Sequence, residues 1–177
     1  MVAPGRFAAG RLLLVLLAAG CGDVDAGSAP FVGAVRYQGS GYTLSLLEPP
    51  WIPISVAGQT FFLVPPSDAA IPTDATQALN VALYSLAVQP SASAPMQAMD
   101  ALWAGLPKQS LDGPSPVTTV SGGAGLEVSW KESETLFHRD AFLARAGTPT
   151  FQLHFSGKHA LDGDPMLTQM ILSFEPR

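Results

Sequence analysis

"LFHRDAFLARAGTPTFQLHFS", Leu136 to Ser156, is the stretch whose reading decides the fold. Gly147-Thr148-Pro149 is turn chemistry, and an apolar-rich arm flanks it on each side. In the second arm Phe151, Leu153 and Phe155 alternate with Gln152 and His154. A period of two sends successive side chains to opposite faces, which marks a half-buried strand. Two such arms, Leu136 to Ala146 and Thr150 to Ser156, joined by a short turn predict an antiparallel hairpin.

Working outward, the same alternation recurs at Tyr42, Leu44 and Leu46, and Glu48-Pro49-Pro50 stops it because proline cannot donate to a ladder. Trp51 to Val56 and Thr60 to Val64 read as strands around Ala57-Gly58-Gln59. Val117 to Val120 and Leu126 to Trp130 bracket "SGGAG" as another hairpin. "VPPSDAAIPTDAT", Val64 to Thr76, reads as a loop. "ALNVALYSLAVQP", Ala78 to Pro90, is apolar on both faces and long enough for a helix. Val81, Tyr84 and Val88, with Pro90 as a stop, point instead to a central strand.

Two helices complete the outline. Ser93 offers an N-cap and Pro95 suits the first turn, with Met96, Met99, Trp103 and Leu106 expected on one buried face. Asp164 and Pro165 open the second, lined by Met166, Met170, Ile171 and Phe174. The expected class is α+β: an antiparallel sheet packed with two helices, in a single domain over residues 31–177.

The 177-residue chain is 47% hydrophobic and only 13% charged, enough apolar matter to offset the ordering entropy of a folded core. Its lone cysteine, Cys21, excludes an internal disulfide. Of nine basic residues, Arg6 and Arg11 precede Cys21, leaving seven against fourteen acids, a net −7 for the remainder. That acidity disfavours nucleic acid.

Those two arginines stand before Leu12 to Ala19, an apolar run of about 12 Å as a helix, too short for a bilayer core of ~30 Å. Residues 1–20 therefore read as an export leader. Leu17-Ala18-Ala19-Gly20-Cys21 resembles the lipobox of bacterial lipoproteins, departing from the strictest pattern at Ala18. The resemblance implies cleavage between Gly20 and Cys21 by a signal peptidase of the second type. It also implies a diacylglycerol thioether on the Cys21 sulfur and a further acyl chain, of the palmitate class, on its amine. Thiolate nucleophilicity fits that transfer, and two or three chains make release negligible. Under Gram-negative sorting logic an Asp directly after the cysteine favours the inner membrane. Gly22 stands there, with Asp23 next, so the expectation is the outer membrane, facing the periplasm or the surface. Residues 21–30, "CGDVDAGSAP", read as the lipidated cysteine and a flexible tether.

"GYTLSLLEPPWIPISVAG" and "PTFQLHFSGKHALDGDPMLTQMILSF" resemble the opening and closing segments of PsbP-like domains. Together they cover about a quarter of the chain. The resemblance implies an α/β sandwich around an antiparallel sheet, serving as an accessory or adaptor module. Fold alone assigns no activity.

The chain has no G-x-S-x-G elbow, Walker A loop, dinucleotide fingerprint, H-E-x-x-H or C-x-x-C. "HFSGKHALDGD" gathers His154, His159, Asp162 and Asp164, side chains able to hold a divalent ion. Their spacing matches no established metal site, and Asp162-Gly163-Asp164 reads as turn and cap chemistry. "KESETLFHRD", Lys131 to Asp140, reads as a charged guard on a sheet edge or a partner-facing edge. Trp51, Trp103 and Trp130 are expected in the core.

The expectation is a non-catalytic envelope lipoprotein without metal or cofactor, anchored through Cys21 and binding an envelope protein. One alternative is a carrier whose cavity Met96, Met99, Trp103, Met166 and Met170 would line. The other is a hydrolase, which would bring His138, His154 or His159 within reach of both a serine and an acid in a cleft.

Overall fold

The structure, a computed structural model, describes residues 24–25, 34–47, 51–57, 59–66, 72–106 and 113–177. In chain order the elements are β1 (Val24–Asp25), β2 (Val35–Gly39), β3 (Tyr42–Leu46), β4 (Ile52–Val56), β5 (Gln59–Val64), α1 (Ala75–Val81), β6 (Tyr84–Ser91) and α2 (Pro95–Gly105). After these come β7 (Ser115–Thr118), β8 (Ala124–Ser133), β9 (Leu136–Ala144), β10 (Thr150–Gly157), α3 (Pro165–Ser173) and β11 (Glu175–Pro176). The class is α+β, with antiparallel pairing throughout both sheets.

The deciding hairpin forms as expected. β9 pairs with β10 around Gly147, whose φ of +81° is a left-handed turn conformation that suits glycine. This pair lies inside a seven-stranded sheet ordered β4-β5-β6-β10-β9-β8-β7. Phe151, Leu153 and Phe155 are buried on one face. They meet Leu167, Met170 and Ile171 of α3 and Tyr37 and Leu44 of the smaller sheet, ordered β1-β2-β3-β11. The opposite face carries α1 over Leu63 and α2 over Val128 and Phe142. A sheet covered on both faces explains why six of the nine residues of β9 are buried.

Several expectations change. Ala78 to Pro90 is a helix end followed by a strand. Asp74 caps α1 by accepting from the Gln77 amide at 2.8 Å, Ala78 and Ala82 pack on Leu63, and the chain then turns into β6 between β5 and β10. Burial of both halves made the stretch apolar all round. There are thus three described helices, not two. Ala94, not Ser93, is the N-cap of α2, with Pro95 opening the helix. On α2 the buried sector comprises Ala98 and Met99, with Leu102 and Leu106 against it. Met96 and Trp103 lie past its rim, 61% and 38% exposed. Of the three tryptophans only Trp51 is fully in the core. Trp130 is half-buried.

Lys131 to Asp140 is not an edge guard. The edges of the large sheet are β4 and β7, whereas β9 is interior, and His138, Arg139 and Asp140 are buried with internal partners. In the expected tether, Val24–Asp25 pairs with Arg36 and Tyr37 of β2. The leader, Gly20, Cys21 and the rest of the tether lie outside the described residues, as do Glu48-Pro49-Pro50 and Gly58.

Candidate functional site

Strand register assembles a polar strip on the α1/α2 face, between the two helices' apolar clusters. β9 and β10 pair His138 with Ser156 and Asp140 with His154. β8 sets Trp130 beside His138, and β6 sets Ser85 beside Ser156 and Gln89 beside Gln152.

Ser156 sits between two imidazoles. Its Oγ lies 3.0 Å from His138 Nδ1 and 3.2 Å from His154 Nε2. Each imidazole is backed by a carboxylate through its other nitrogen: Glu132 Oε2 is 2.8 Å from His138 Nε2, and Asp140 Oδ1 is 2.8 Å from His154 Nδ1. The His138 ring stacks on Trp130 with centroids 4.0 Å apart, and on His154 at 5.1 Å. Stacking fixes both ring planes and so aims the nitrogens.

Asp140 anchors the strip. Its side chain is fully buried and accepts from Trp130 Nε1 at 2.7 Å, from Gln152 Nε2 at 2.7 Å and from His154. Burial alone would raise its pKa, but the His154 hydrogen bond and charge, with the Trp130 and Gln152 donors, hold it below the usual value. The network continues outward: Gln89 donates to Gln152 at 2.7 Å and Gln59 donates to Gln89 at 3.2 Å. The strip's buried side-chain polar atoms all have hydrogen-bond partners, which is what lets it persist between the two apolar clusters.

The two histidines are driven apart. Burial, reinforced by the neighbouring His154, lowers the His138 pKa against the opposing pull of Glu132. For His154 burial also acts to lower the pKa, but the hydrogen bond and charge of Asp140 outweigh it and raise the value. A proton is therefore held more firmly at His154 than at His138. Hydrogen-bond directions then close without conflict. His154 donates to Asp140 and to Ser156 Oγ, the Ser156 hydroxyl donates to His138 Nδ1, and His138 Nε2–H donates to Glu132.

Ser156 lines a groove of ≈ 180 Å³ with Ser85, Gly157 and Leu136 from the sheet, Lys158 just past β10, and Leu79, Asn80 and Ala82 from α1 and its end.

The four residues singled out as possible metal ligands are not brought together. His154 joins this strip, while His159 bonds the Tyr84 hydroxyl. Asp164 caps α3, accepting from the Met166 and Leu167 amides at 2.9 and 3.1 Å, and Asp162 is exposed in the preceding turn. Among the described residues, no group of three or more His, Cys, Asp or Glu side chains is placed to hold a metal ion. Sequence reading missed Asp140, Glu132 and Ser156. The signal was present: His138 and Ser156 are equidistant from Gly147, as are Asp140 and His154, so a hairpin centred there pairs them.

No protein-family model matches the chain, and no curated protein matches it significantly.

Proposed function

We propose that this protein is an envelope lipoprotein, moored through an acylated Cys21, whose PsbP-like α+β domain serves as an accessory module for a protein partner. One observation carries the anchor: the only cysteine in the chain follows Leu17-Ala18-Ala19-Gly20 behind a short apolar run with two arginines ahead of it. Mooring confines the domain near the membrane and raises its effective concentration toward partners there. No helix among the described residues is long and apolar enough to cross a membrane.

The partner-binding half of the reading draws on α2. Met96 and Trp103 are seven residues apart, two helical turns, so they share an outward face. Tryptophan is enriched among the residues that dominate binding energy at interfaces. The placement of the methionines proposed to line a cavity counts against the carrier alternative. Met99 packs with Val128 and Phe142 under α2, Met170 lies in the core across the sheet, and Met96 is exposed. These side chains cannot line one space.

The test is mass spectrometry of the amino-terminal peptide from native envelopes, paired with crosslinking. The expected result is a Cys21 carrying a diacylglycerol thioether and an amide-linked acyl chain, a Cys21→Ser variant that is soluble or unprocessed, and crosslinks that Trp103→Ala loses. An unacylated amino terminus on the exported protein overturns the anchor. Crosslinks unchanged in Trp103→Ala overturn the α2 surface.

A further inference from the structure

We infer that Ser156 is an activated hydroxyl that accepts the acyl group of small esters, with His138 as its base and His154 as the opposing proton donor. This goes beyond the anchoring and partner-binding reading and is independent of it.

The geometry meets the requirements of nucleophilic catalysis one by one. The nucleophile is within hydrogen-bond reach of a base, since Ser156 Oγ lies 3.0 Å from His138 Nδ1. The base is oriented by a third group, Glu132, at 2.8 Å from its other nitrogen. A second imidazole, His154, approaches the same oxygen at 3.2 Å and is held by fully buried Asp140. A serine hydroxyl can donate once and accept twice. Here two imidazoles converge on it, and their environments push their proton affinities in opposite directions, as expected where acid and base roles are divided. Ser156 also lines a groove on this face of the sheet.

The step balances within these groups. Ser156 Oγ attacks the ester carbonyl carbon as its proton passes to His138 Nδ1, and Glu132 steadies the resulting imidazolium. His154 Nε2–H, released from Oγ as the new bond forms, turns to the carbonyl oxygen where charge develops. The carbon–oxygen bond to the alcohol then breaks, and His138 returns the proton to the leaving oxygen. Water, deprotonated by His138, attacks the acyl-serine and releases the acid with the serine hydroxyl restored. A groove of ≈ 180 Å³ suits a short acyl chain against Leu79 and Leu136.

The experiment uses the full-length protein in detergent, with p-nitrophenyl acetate and a fluorophosphonate as probes, read by intact mass and site-localising fragmentation. The expected result is one adduct per chain, on Ser156, absent in Ser156→Ala. His138→Gln should slow labelling about 10²-fold. Glu132→Gln, at a positioning residue, should slow it less and move the midpoint of its pH profile. The wild-type rate should rise with pH through a midpoint below the ordinary histidine value, as His138 becomes a free base. Absence of an adduct on wild-type Ser156 overturns the inference, as does an undiminished rate in folded His138→Gln. Because the wild-type labelling site decides the matter, a variant that fails to fold does not rescue it. Cys21 acylation appears in the same spectra at another residue, so either reading can fail alone.

Discussion

Arg139 and Asp140 are chain neighbours whose side chains leave the sheet through opposite faces, each into its own buried ion pair. Arg139 reaches Glu127 at 2.8 Å and, on the same face, Thr168 Oγ1 of α3 at 3.0 Å and the carbonyls of Leu161 and Asp164. Asp140 reaches His154 at 2.8 Å on the face that carries α1 and α2. Strand alternation thus uses one dipeptide to fasten two layers, the structural side by the cation and the candidate site by the anion.

Arg139→Met should test the first fastening. Removing one partner of the pair leaves Glu127 without its cation and Thr168 Oγ1 without the guanidinium donor, while the Leu161 and Asp164 carbonyls keep their backbone donors. The expected loss is about 3–5 kcal/mol in urea unfolding. Asp164→Ala, which removes the α3 cap and a long contact from the Tyr84 hydroxyl, should cost about 1 kcal/mol by the same measurement.

Asp140→Asn should separate the two histidines' contributions to stability. His154 has a folded-state pKa above its unfolded value of about 6.5. Its stabilisation is therefore complete below that pH and fades as pH rises through the raised value. His138 is the opposite case, with its folded pKa depressed. Its contribution is present above about pH 6.5 and is lost as pH falls through the depressed value. In Asp140→Asn the alkaline fade should disappear while the acid-side loss remains. Urea midpoints from about pH 5 to about pH 9, with imidazole NMR titrations, check this. An unchanged His154 titration in the variant would sink the assignment.

Alternation and turn chemistry were local signals, so the β9–β10 hairpin, the β4–β5 pair and the Asp164-Pro165 start of α3 were legible in the sequence. The division of Ala78 to Pro90 was not, because a helix buried on Leu63 and a strand buried between neighbours both read as apolar. The α2 face was misplaced because Met96 and Trp103 share helical spacing with Met99, and spacing does not say which side of a rim faces inward. The candidate site hid for a further reason. Ser156 and Asp140 are ordinary strand residues until register brings them to His138 and His154, and mirror positions about Gly147 become meaningful only once that turn is fixed.

Met99→Ala should cost about 2–5 kcal/mol, since Met99 is wholly enclosed with Val128 and Phe142. Met96→Lys, three residues away on the exposed rim, should change stability by no more than about 0.5 kcal/mol. Thermal or urea unfolding of the two variants side by side checks which face of α2 is core. Equal losses would contradict the placement.

Gly125→Ala tests the packing of the sheet at one atom. Gly125 pairs with Leu143 in the β8–β9 ladder, and a Cβ built there would stand 1.7 Å from the Phe142 carbonyl oxygen and 2.8 Å from its carbon. Those are backbone atoms of an interior strand, so no side-chain rotation can relieve the contact. The strands must part, which weakens the ladder where β9 carries Phe142 toward α2. A loss of roughly 3 kcal/mol is expected. Gly122→Ala offers the contrast: nothing lies within 4 Å of its Cβ, but its φ of +84° disfavours any side chain. Its cost should be smaller, about 1 kcal/mol, because it arises from backbone strain alone. Urea unfolding should rank Gly125→Ala well below Gly122→Ala in stability. Hydrogen exchange should show weaker protection of the β8–β9 amides in Gly125→Ala only, since the turn variant leaves the paired strands in contact.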